Sequence, residues 1–154
     1  MAIQGLALAK QNVKSRLTAI LDRSQSPPAN FTAAQIHLGS YSLRASGQSL
    51  EETVTGAAQA FISHAQEGEL ALGEFRGRFT LALDLLVRSA GDSDERDWLD
   101  DMLVDLLAAL DPAAWGDDAS AGPPPERIRW KTETADRATR LVRLAFLLTF
   151  PWNA

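Results

Sequence analysis

A chain of 154 residues can bury the core of one domain without covalent staples, and its lack of cysteine excludes disulfides, thiolate chemistry and Cys-based metal sites. Apolar residues make up 45% of it and four tryptophans are present, which argues for a packed globular protein over a disordered one. The net charge of −5 is unevenly spread: residues 92–118 hold ten acidic side chains and one basic, whereas 119–154 hold six basic and three acidic. Such asymmetry suits solvated faces of opposite sign, or self-complementary surfaces that meet between subunits.

Lys10 and Lys14 interrupt the early apolar run, so no secretory leader is expected. The last apolar run, 144–152, is about half of the roughly 20 residues that a membrane-spanning helix needs. A soluble protein with no membrane partner is expected.

Residues 3–23 read as an amphipathic helix, with Leu6, Val13, Leu17, Ile20 and Leu21 on one stripe. Pro27-Pro28 closes it. Residues 35–43 hold a short strand with Ile36, Leu38 and Leu43 as its buried candidates, and Gly39-Ser40 as a bulge or turn. Ser49 and Glu52 match a capping box, in which the hydroxyl and the carboxylate satisfy free N–H groups at a helix start. Leu50, Val54, Ala57, Ala58, Phe61 and Ile62 then predict a helix up to about Ala65. Residues 66–73 are either a turn-like connector or a hairpin arm leading into the next strand.

The cleanest pattern spans 73–88. Phe75, Phe79, Leu81, Leu83, Leu85 and Val87 occupy odd positions, with Arg76, Arg78, Thr80, Asp84 and Arg88 between them. A period of two held this long predicts one half-buried strand. Asp92 with Glu95 opens an acidic helix reaching Leu110, with Trp98, Leu99, Met102, Leu103, Leu106, Leu107 and Leu110 inward and Asp97, Asp100, Asp101 and Asp105 outward. Pro112 stops it, and a Pro-rich, flexible loop is expected over about 117–126. Residues 127–133 alternate Ile128, Trp130 and Thr132 against Arg127, Arg129 and Lys131. A turn at 134–137 and a closing strand over 140–150 follow. Both faces of that last strand are apolar near its end, so it should lie centrally in a sheet or under another subunit.

Little in the chain points to catalysis. His37 and His64 are the two histidines, and neither has a second histidine at a metal-ligand spacing. The acidic pairs Glu51-Glu52, Asp100-Asp101 and Asp117-Asp118 fall on exposed faces or a loop, where solvation explains them better than acid–base chemistry. No phosphate-cradling Gly-rich loop is present. No enzyme activity, metal or cofactor is expected. Arg127, Arg129, Lys131, Arg137, Arg140 and Arg143 around Trp130 could track a phosphate backbone and stack a base, although a basic hairpin more often pairs with acidic neighbours, and the acidic helix, in the same chain or the next, is the obvious one.

The run 79–87 leading into the acidic helix of 92–110, together with the closing hairpin of 132–150, resembles the tail terminator (tail completion) proteins of long-tailed bacteriophages. The resemblance implies an α+β fold with helices packed on one face of a mainly antiparallel sheet, here as a single domain over 1–154. It also implies a virion protein that assembles in the host cytoplasm as a hexameric ring. Such a ring caps the tail tube, stops its polymerisation and joins it to the head–tail connector, with DNA only passing through the lumen. The family has no catalytic residues to carry over. The extra helix expected within 45–72 and the loop at 119–125 depart from the pattern. They leave open another neck or connector protein of similar fold, and a cytoplasmic nucleic-acid-binding module is the alternative from a different class. On the ring hypothesis, Arg140 and Arg143 would face Asp100, Asp101 or Asp105 across a subunit interface. Arg76, Arg78, Thr80 and Asp84 would face a lumen or partner.

Overall fold

The computed structural model describes residues 2–25, 27–39, 58–71, 76–88, 95–111, 113, 124–136 and 141–153. Helix α1 covers Ala2–Leu17 and buries Ala9, Val13 and Leu17, which recur at helical spacing. It stops earlier than the predicted Arg23. The Thr18 hydroxyl donates to the Ser15 carbonyl at 2.7 Å, and the N–H groups of Ala19 and Ile20 bond three residues back, tightening the last turn. Ile20 still enters the core, but Leu21 is exposed because it belongs to a two-residue strand, β1 (Leu21–Asp22), paired antiparallel with β2 (Ala29–Asn30).

Asp22 holds this excursion in place. It is 0% exposed, and its carboxylate accepts from the Ser24 N–H at 3.0 Å, the Gln25 amide at 3.1 Å, the Gln35 amide at 2.8 Å and the Ala58 N–H at 2.9 Å. A buried carboxylate is tolerated only with such saturation. Gln35 in turn closes a capping box with Thr32 over the 3₁₀ turn Ala33–Gln35 and donates to the Ala58 carbonyl at 3.1 Å.

The main sheet has five strands in the order β3-β4-β5-β7-β6. They are β3 (Ile36–Leu38), β4 (Gln59–Ala71), β5 (Arg76–Arg88), β6 (Arg127–Asp136) and β7 (Leu141–Asn153). The β3–β4 pair is parallel and the other three pairs are antiparallel, so the protein is α+β with a mostly antiparallel sheet and, among the described residues, two helices. The second helix, α2, spans Glu95–Leu110 as its apolar stripe predicts. Met102, Leu106 and Leu110 join the α1 residues on one face of the sheet, over Ala60 and Ile62 of β4, Leu81, Leu83, Leu85 and Val87 of β5, and Leu144, Phe146, Leu148 and Phe150 of β7. Phe79 stacks on Phe150, its register partner, with ring centroids 5.5 Å apart.

Several expectations are corrected. The helix predicted up to Ala65 is replaced from Gln59 onward by β4, whose pairing with β5 settles the open choice over the described part of 66–73, residues 66–71, in favour of a hairpin arm. Ala58, Ala60 and Ile62 face the core while Phe61 is buried on the opposite face, stacked on His37 at 4.9 Å. Burial on both faces erases the alternation that betrays a strand. Leu38, expected inside, is 46% exposed because β3 is a short edge strand. Residues Thr134 to Asp136, expected in a turn, continue β6, with a register irregularity between Thr134 and Asp136. The Ser49–Glu52 cap, Leu43, Asp92, Pro112 and most of the Pro-rich loop lie outside the described residues.

β7 is hydrogen-bonded to β5 along its whole length and to β6 on its other side, the central placement its two apolar faces require.

Candidate functional site

Cross-strand register defines the face of the sheet turned away from the helices. Opposite one another lie Asp84, Ala145 and Lys131; then Ala82, Leu147 and Arg129; then Thr80, Thr149 and Arg127. One end of this face is closed, with Phe61, Asp84, Leu86, Leu141 and Ala145 buried. Its other end is open: Arg78, Arg127, Arg129, Lys131 and Leu147 are all exposed.

The edge strand β6 borders the open end. Trp130 is 50% exposed although its register partner Phe146 is fully covered, because Trp130 has strand neighbours on one side only among the described residues. Alternation sets Trp130 on the helix side and Arg127, Arg129 and Lys131 on the bare side. The cations and the indole therefore lie on opposite faces of the strand.

At the boundary between the closed and open ends sits a charge cluster. The Arg143 Nε donates to Asp84 Oδ1 at 2.7 Å, its Nη2 lies 2.6 Å from the same oxygen, and its Nη1 donates to Glu133 Oε1 at 2.7 Å. Lys131 Nζ approaches Glu133 Oε2 at 3.4 Å. Burial raises the Asp84 carboxyl above the usual range, against the pull of its bonds to Arg143. Glu133 shifts the other way, held down chiefly by its hydrogen bond to Arg143.

The residues singled out from the sequence separate accordingly. Asp84 does not lie on an open polar face: it is 6% exposed and paired, because a long-range cation and covered neighbours surround it. Arg78 is exposed and donates to Glu126 at 2.8 Å, and Thr80 is partly covered. Arg76 pairs through its backbone with β4 and β7. Asp100 and Asp101 are exposed on α2, whereas Asp105 is paired with Arg23 at 3.0 Å. Arg143 meets acids of its own sheet, and Arg140 lies outside the described residues. Sequence reasoning missed Asp22, Arg23 and Glu133. Of these, Glu133 was within reach, since antiparallel pairing of the last two strands sets it opposite Arg143.

Among the described residues, no group of three His, Cys, Asp or Glu side chains could hold a metal ion, and no helix is long and apolar enough to cross a membrane. What the arrangement offers is surface: a bare, basic sheet end on one side, and on the other a helix that presents Asp100 and Asp101. No family model matches the chain, and no curated protein matches it in sequence.

Proposed function

We propose that this protein is a phage virion structural protein, a tail terminator that forms a hexameric ring on the tail tube, halts its polymerisation and offers a surface to the head–tail connector. The observation that carries this is the long closing hairpin at the rim of the sheet. Its outer strand β6 is ten residues long, has no partner on its outer side among the described residues, and carries exposed cations and a half-exposed tryptophan. Long edge strands are templates for pairing with another chain, and a closed ring is one way to occupy them. Acids on the helix side and bases on the bare side add surfaces of opposite sign, which favour contact between unlike patches. The partners on this proposal are further copies of the chain, the tail tube protein and the connector protein, with DNA passing through the lumen.

Light scattering and negative-stain microscopy of the purified protein test the ring. Adding it to polymerising tail tube protein tests the cap. Rings together with shortened tubes are the expected result, and a monomer that leaves tube length unchanged sinks the proposal.

The exposed row Arg127, Arg129 and Lys131 also fits a phosphate backbone. That second reading requires a DNA mobility shift that weakens steeply with salt, without base stacking by Trp130 on the same face.

A further inference from the structure

The two rims of the sheet differ in a way that specifies how copies join. Three successive antiparallel pairings separate β4 from β6, so these strands run in opposite directions. β3 covers the outer side of β4 only at Ala60, Phe61 and Ile62. Among the described residues nothing pairs with the outer side of 63–71, a stretch almost as long as the ten-residue β6. That stretch contains Glu67 and Glu69 and no Lys or Arg, whereas β6 carries Arg127, Arg129 and Lys131. Glu69 is in register with Arg78.

We infer that β6 of one copy adds to the outer edge of β4, at 63–71, in the next copy, so that the sheets join into one continuous antiparallel wall. This rests on the ring assembly proposed above and supplies its contact. A copy rotated about an axis along the strands keeps its strand directions, so β6 meets the next β4 antiparallel and the up–down alternation continues. The same rotation keeps the bare faces of the two sheets on one side of the wall. Two-fold pairing of β6 with itself would set Arg127 against Lys131 in one register and Arg129 against Glu133 in another, and it would leave the edge at 63–71 uncovered. The stretch at 63–71, with two acids and no Lys or Arg, suits the more basic β6 better than a second copy of itself, and a heterologous contact of this type closes into a ring or grows into a filament. The irregularity between His64 and Gly68 limits the registers that a partner strand can adopt.

The absence of native cysteine makes disulfide trapping clean. Single variants Arg127→Cys, Arg129→Cys and Lys131→Cys are each mixed with Glu67→Cys or Glu69→Cys and oxidised. The expected result is cross-linked dimers in at least one mixture and in no β6 variant alone, with a multimer ladder when the matching pair is placed in one chain. In parallel, R127E/R129E and E67K/E69K should each weaken association about tenfold or more, and combining the four changes should restore it. Circular dichroism on every variant shows that it is folded. An oligomer by light scattering with no mixed cross-link and no charge-swap rescue overturns the edge pairing and leaves the ring standing. Cross-linking of a β6 variant with itself overturns it in favour of two-fold pairing. A monomer at every concentration overturns both.

Discussion

Arg143 grips a single oxygen of Asp84 with two nitrogens, at 2.7 and 2.6 Å, from a strand 59 residues further along the chain. The two residues are diagonal neighbours across β5 and β7, since Asp84 faces Ala145 and Arg143 faces Leu86. Diagonal neighbours of this kind lie within reach of a long side chain. Both lie where the second face passes from covered to open.

Replacing Arg143 with Met leaves a buried carboxylate without its cation, which costs about 3 kcal/mol at neutral pH. Burial makes folded Asp84 hold its proton more tightly than the unfolded chain does. Stability therefore falls as pH rises from the ordinary Asp range through the raised folded value. Without Arg143 that fall steepens. Glu133 has the opposite sign: its lowered value contributes stability above the ordinary Glu range that is lost in acid, and R143M removes this contribution. Urea unfolding should show a larger gap between wild type and R143M at pH 7 than at pH 4. Equal gaps would show that the ion cluster is not what the substitution disturbs.

Asp22→Ala removes the common acceptor of the Ser24 and Ala58 N–H groups and the Gln35 amide. Leaving such donors buried and unmet should cost about 3 kcal/mol or more. Asp22→Asn keeps one acceptor oxygen and should fall between the two. Denaturation midpoints that rank wild type above Asn above Ala are expected, and a neutral Ala variant refutes the role of Asp22 as an anchor.

On α2, Leu106→Ala opens a cavity in the shared core and should cost about 2–5 kcal/mol. Val104, two residues earlier, is 62% exposed, and its Ala variant should stay within about 0.5 kcal/mol of wild type. Thermal melts of the pair check the orientation of the helix. Comparable losses at both positions would mean that the outward face is covered in solution, as a ring contact would do.

The Arg23–Asp105 pair joins the first strand excursion to α2 with both side chains partly exposed. Asp105→Asn should therefore cost under about 1 kcal/mol, and the difference should shrink in molar salt. A larger, salt-insensitive loss would point to burial of Asp105 in an assembly.

The strand at 76–88 and the helix at 95–110 were legible in the residue pattern for one reason: each keeps one continuous apolar face, and polar residues mark most of the other, although Leu86 on the second face of the strand is also buried. The closing hairpin was legible as well, and the two apolar faces of the strand expected at 140–150 implied either cover by another subunit or the inner position that it occupies. Residues 58–62 were not legible. With Ala60 and Ile62 on one face and Phe61 on the other all buried, a period of two leaves no polar trace and a helical count fits by default. The charged positions divide in the same way. Composition alone sets acids in α2 and bases in β6, because charge is carried by the residue wherever it lies. Only the folded sheet determines that Asp84 is covered, that Arg143 is engaged by Asp84 and Glu133, and that Arg127, Arg129 and Lys131 line an edge with no partner strand among the described residues. Those outcomes depend on strand order and register, which come from pairing between residues far apart in the chain, and local periodicity carries no information about such pairing.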